Sequence, residues 1–179
     1  MTMEEEKKIE FPVPRLFLTL ILMAVAIFVC MLGTFMPVDV KTANETAQEF
    51  EKAREYIVNV PYVFGNNFMH CLIMFVPVVG VAYGMFIMFN TGYVIEMLAV
   101  AQGIPAPVAF VSLFLLPFTW MEFICYSIAM GQSIILTFKL SKGKIREKFN
   151  ETYKWITLCA VILLVSALIE VVLILTVGS

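Results

Sequence analysis

Between Arg54 and Lys139 the chain contains no lysine or arginine. Inside that span, residues 66–133 form an almost unbroken apolar block. It opens NNFMHCLIMFVPVVG and closes LPFTWMEFICYSIAMGQS. Apolar runs of about 18 or more residues mark helices that cross a bilayer. With 61% hydrophobic residues and a mean hydropathy of +0.91, the whole chain reads as an all-α, polytopic integral membrane protein. The block nevertheless carries His70, Glu96, Glu122 and several asparagines. A carboxylate in an apolar run is costly unless it faces protein or a wet cavity. No basic patch interleaved with aromatics occurs, which argues against a nucleic-acid partner.

The order of apolar runs suggests one membrane domain, 16–179, behind a cytoplasmic tail, 1–15. The first span, 16–36, is too long for a signal-peptide core and lacks a small-residue cleavage site, so it reads as a retained anchor. Residues 43–58 alternate Ala47, Phe50, Ala53 and Ile57 with charged positions at helical spacing. This predicts a short external amphipathic helix, capped by Thr42 or Asn44, on the membrane surface or the mouth of the bundle. A second span, 67–89, carries Gly80 and Gly84 as a GxxxG that lets another helix approach closely, and Pro77 should kink it. Asn90-Thr91-Gly92 reads as a turn. The segment 91–103 is then either a short span or a re-entrant half-helix, with Gly92, Glu96, Ala99 and Gly103 on a stripe facing protein. A long span, 108–138, should kink or break at Pro117, and a last span covers 155–177.

Between these lies 139–154, with six basic residues against two acidic. Basic short loops stay cytoplasmic. With 139–154 cytoplasmic and five crossings, the N-terminus is cytoplasmic, the 38–65 segment external and the C-terminus external. The basic run reads as a solvated loop, with binding to anionic lipid or an acidic partner as the alternative. The four cysteines, Cys30, Cys71, Cys125 and Cys159, each fall in an apolar run with no CxxC pair, so they read as packing residues rather than a disulfide or metal framework. No cofactor or metal is implied.

This topology sets the depth of the polar residues. Glu122 lies about sixteen residues, roughly 24 Å, from the cytoplasmic end of its span, and Glu170 about fifteen residues, roughly 22 Å, from the start of its own. His70 lies about one turn from the outer end of 67–89. The three are expected to meet near the outer third of the membrane, with Glu96 apart near the inner face. Such a cluster can hold helices together, relay protons or transport a solute. Catalysis needs a nucleophile, metal or defined base pair. No HExxH, GxSxG or paired aspartates occur, so no catalytic residue is assigned.

Asn67 opening a helix, Gly80 and Gly84, Asn90-x-Gly92, and Leu116-Pro117 followed by Glu122 resemble the central pattern of the stage II sporulation protein M family. These are bacterial and archaeal multi-pass membrane proteins. The likeness covers about residues 64–132. Phe118 and Thr119 stand where the family pattern has histidine and glycine, and Thr91 interrupts its Asn-Gly, which points to a member outside sporulation. The resemblance implies a non-enzymatic scaffold or complex subunit in the cell membrane. Its partners would be lipids, further copies of itself or other membrane proteins. The alternative is a small transporter, or a subunit of one, coupling protons or solute through its membrane glutamates.

Overall fold

Proline occupies the first turn of three helices, where its missing N–H removes no helical bond and its fixed φ suits the start. A computed structural model of the chain describes residues 12–143 and 146–177. The regular elements among them are seven α-helices. They are α1 (Arg15–Gly33), α2 (Val40–Ile57), α3 (Val60–Met74), α4 (Val79–Gln102), α5 (Ala106–Leu113), α6 (Pro117–Ser141) and α7 (Arg146–Val177). Pro61, Pro107 and Pro117 sit in the first turns of α3, α5 and α6.

Among the described residues, four helices are long and apolar enough to cross a membrane: α1, α4, α6 and residues Glu151–Thr176 of α7. The eight residues of α5 reach only about 12 Å. The fifteen of α3 reach about 22 Å, short of a hydrocarbon layer of about 30 Å.

The central helix is α6, which packs against α1, α3, α4 and α7. Its buried Phe123, Cys125, Ala129 and Met130 meet Leu22 and Ala26 of α1, Met74 of α3, Met88 of α4 and Leu163 of α7 in one core. By contrast, α1 leaves Phe17 and Phe28 largely exposed, and α7 does the same with Val161 and Val172. Apolar area left in water forfeits about 25 cal/mol per Å², so these outward faces suit lipid.

A close helix approach joins α1 to α4. Gly33 sits against the Phe89 carbonyl and Gly92 against the Cys30 carbonyl, and a side chain on either glycine would collide with backbone. Gly80 and Gly84 are also buried, against Met74, Met130 and Ser133 of the same chain. The close approach expected of the GxxxG is therefore made inside the fold, which leaves these glycines no surface for another chain.

Two sequence-based boundaries are corrected. The first concerns the spans 67–89 and 91–103. The break falls at 75–78, beside Pro77, and α4 runs unbroken through Asn90-Thr91-Gly92. The asparagine and threonine bond their own helix instead of making a turn. Asn90 Nδ2 donates to the Phe86 carbonyl at 2.8 Å and the Thr91 hydroxyl to the Ile87 carbonyl at 2.9 Å. In an apolar setting such local bonds satisfy the side chain without releasing the helix. Residues 91–102 are thus the second half of a 24-residue helix capped by Gly103, not a short or re-entrant segment. The second correction concerns the basic run. Residues 139–141 complete α6, and α7 already begins at Arg146, since Lys, Arg and Glu are strong helix formers. The expected break of 108–138 at Pro117 does occur, separating α5 from α6.

The break at 75–78 is held by α6. The Val78 N–H donates to the Thr137 hydroxyl at 2.7 Å, and the Ser133 hydroxyl donates to the Val76 carbonyl at 2.6 Å. Val78 takes φ of 70°, which a branched residue rarely adopts. These two bonds supply the partners that the interrupted helix no longer provides.

At the end of the molecule carrying Arg15, Lys142 and Lys154, Arg15 of α1 bonds Glu151 of α7 at 2.7 Å. The opposite end is covered by α2, which packs on α4 and α3. Its cap is Asp39 rather than Thr42 or Asn44. The Asp39 carboxylate accepts from the Thr42 N–H at 3.0 Å and the Thr42 hydroxyl at 2.6 Å, and these bonds hold its carboxyl below the usual range. The helix expected at 43–58 is the observed α2. The tail expected over 1–15 lies, through residue 11, outside the described residues.

Candidate functional site

The end of the bundle beneath α2 holds a cavity of about 420 Å³. Glu49, Phe50 and Ala53 of α2 form its roof. Tyr62, Val63, Asn66 and Asn67 of α3 form one wall, and Glu122 of α6 and Glu170 of α7 close the other side. The register follows from the helices. Val63 and Tyr62 stand three and four residues before Asn66, so the three share a face of α3. Glu122 sits in the second turn of α6, just after the Pro117 start.

One short bond organises the site. Asn67 Nδ2 donates to Glu122 Oε1 at 2.6 Å. Ser166 of α7 donates to the Phe118 carbonyl, one turn before Glu122 on α6, at 3.2 Å. Helices α3 and α7 thus both bond the first two turns of α6. Three carboxyl groups and two asparagines face the cavity, and among the described residues no lysine, arginine or histidine lines it. Its chemistry suits a cationic or hydrogen-bond-donating guest.

The expected cluster of His70, Glu122 and Glu170 is met in part. Glu122 and Glu170 do face one cavity. His70 does not join them. Its Nδ1 shares a 2.7 Å hydrogen bond with the Tyr83 hydroxyl of α4, and Asn67, one turn earlier on α3, takes the place expected for it. The cause is register: α3 starts at Val60, so His70 lies ten residues into the helix rather than one turn.

Glu96 is also displaced from its expected depth. It lies seventeen residues along α4, about 26 Å from the Val79 start, and its neighbour Met97 accepts from the Thr46 hydroxyl of α2 at 3.3 Å. It therefore belongs to the α2 end, not the basic end. Its Oε2 is enclosed without a hydrogen-bond partner among the described residues. Of the stripe expected to face protein, Gly92 and Ala99 are buried. Gly103 instead caps α4 in the left-handed conformation at φ 67°.

All four cysteines are free and buried. Three of them meet. The Cys71 and Cys159 thiols point at the Cys125 carbonyl at 3.9 and 3.7 Å, and the Cys125 thiol at the Cys159 carbonyl at 3.8 Å. They fill the crossing of α3, α6 and α7, where small side chains allow close helices. Among the described residues no group of three or more His, Cys, Asp or Glu side chains is arranged to hold a metal ion.

Sequence reasoning missed Glu49, Tyr62 and Asn66 as lining residues. The available signal was the stripe Ala47, Phe50, Ala53 and Ile57, read only as an amphipathic face with Glu49 off it. It also missed Gly33, a lone glycine at the end of an apolar run.

The fold and site together define an all-helical protein, with four helices among the described residues long and apolar enough to span a membrane. The chain matches no protein-family model, and searches of curated proteins and of solved structures likewise give no match.

Proposed function

We propose that the chain is a non-enzymatic multi-pass membrane scaffold or complex subunit, akin to the stage II sporulation protein M family. The carrying observation is the Asn67–Glu122 bond. These residues stand 55 positions apart, and the resemblance singles out both. Their pairing gives the shared pattern a physical role, which is to tie α3 to α6. Two other interior polar contacts do similar work. Gln132 bonds Thr152 at 2.9 Å between α6 and α7, and the Thr119 hydroxyl bonds the Leu113 carbonyl at 2.8 Å across the Pro117 break. Polar side chains used this way join helices instead of acting on a substrate.

In this reading α3 and its bonded break serve as a fifth crossing, beside the four long helices. The basic end is cytoplasmic by the positive-inside rule, which puts α2, its cavity and the C-terminus outside. The surface offered to partners is α2 and the cavity rim, with the apolar faces of α1 and α7 in lipid. The test is a photo-crosslinking residue at Phe50, which is 42% exposed, in native membranes. A discrete adduct, either a dimer of this chain or one defined heteromer, is expected. Monomer alone at full crosslinker activation contradicts the scaffold reading.

A second reading has its own support. Glu122 and Glu170 share the cavity, as a small transporter coupling protons or solute through membrane glutamates would require.

A further inference from the structure

At the basic end a second recess, of about 440 Å³, lies between the start of α1 and the start of α7. It is lined by Arg15, Glu151, Lys154, Trp155 and Leu158. The Arg15 guanidinium stands 5.4 Å from the centre of the Trp155 ring and gives one 2.7 Å bond to Glu151 Oε2. A guanidinium carries five N–H donors in a rigid fork suited to phosphate, so this bond engages one of them. Lys154 adds a second cation with an exposed side chain.

The recess changes character along α7. Arg15, Glu151 and Lys154 form a charged layer, Trp155 an amphipathic one, and Leu158, 43% exposed, begins the outward apolar face. Tryptophan favours the level of lipid headgroups. Charged, aromatic and aliphatic groups in that order match a phospholipid, with its phosphate on the cations and an acyl chain along Leu158. The surrounding segment 139–154 carries six basic residues against two acidic, which favours a net anionic headgroup despite the Glu151 carboxylate. We propose that this recess is a binding site for an anionic phospholipid. The inference rests on the membrane reading but not on the scaffold reading, so either can fail alone.

The chain has two tryptophans, so Trp120→Phe leaves Trp155 as the sole reporter. The full chain is placed in nanodiscs of phosphatidylcholine containing either brominated phosphatidylglycerol or brominated phosphatidylcholine at equal mole fraction. Brominated phosphatidylglycerol is expected to quench Trp155 at a several-fold lower mole fraction. Arg15→Gln and Lys154→Gln should each weaken that preference, on the order of fivefold per basic residue. Glu151→Gln should strengthen it, a gain that misfolding would not produce. Inorganic phosphate in the buffer should not reverse the quenching. Equal quenching by the two lipids overturns the proposal. So does a preference undiminished in the Arg15→Gln, Lys154→Gln double variant, or reversal by free phosphate.

Discussion

Alanine at Gly92 is expected to lower the stability of the folded chain by about 1–3 kcal/mol, the usual cost of overpacking, with leucine costing more. A Cβ at this position meets the Cys30 carbonyl group and comes within 3.1 Å of the Gly33 Cα. Those are main-chain atoms of another helix and cannot swing aside as a side-chain end can. Relief requires α1 and α4 to separate, and interiors at native density transmit such a shift to the packed Cys30 and Met88. Gly65→Ala is the matched control. It lies in α3, and a methyl group placed there would have nothing within 4 Å. The better helix propensity of alanine should therefore give a gain of about 0.5–1 kcal/mol. Thermal unfolding of both variants in the same detergent measures the contrast. Equal midpoints would show that the Gly33–Gly92 crossing is not tight.

Asn67→Leu is expected to cost about 1–3 kcal/mol, because it leaves the Glu122 carboxyl without its 2.6 Å partner in a partly buried site. Glu122→Leu should cost a comparable amount by stranding the Asn67 amide. The double variant should be less damaging than the sum of the two, since replacing both partners by apolar groups removes the orphaned group as well as the bond. A double-mutant cycle on unfolding in detergent gives the coupling directly, and strict additivity would show that the pair does not interact.

The features legible in the sequence were those set by composition and by proline. Long uncharged runs announced α1, α6 and α7, and Pro77 and Pro117 marked both interruptions. The amphipathic stripe announced α2. Elsewhere one chemical signal had two physical readings. Asn90-Thr91-Gly92 has turn composition, yet in an apolar setting its side chains bond the preceding helical carbonyls, and Gly92 serves close approach. That single choice moved Glu96 to the other end of the molecule. The span expected from 67 starts instead at Val60, with Pro61 in the first turn of α3, which shifts His70 away from the carboxyl groups and brings Asn67 to Glu122. The convergence of Cys71, Cys125 and Cys159 depends on three-dimensional register and has no counterpart in spacing along the chain.

The central claim is that the polar interior joins helices and moves nothing across the membrane. Proton and cation flux in liposomes tests it most directly, comparing the wild-type chain with Glu122→Gln, Glu170→Gln and protein-free vesicles. The account predicts flux at the protein-free level for all three proteins. Flux above that level in the wild type, abolished by Glu122→Gln or Glu170→Gln, would contradict it and establish the cavity as part of a transport path.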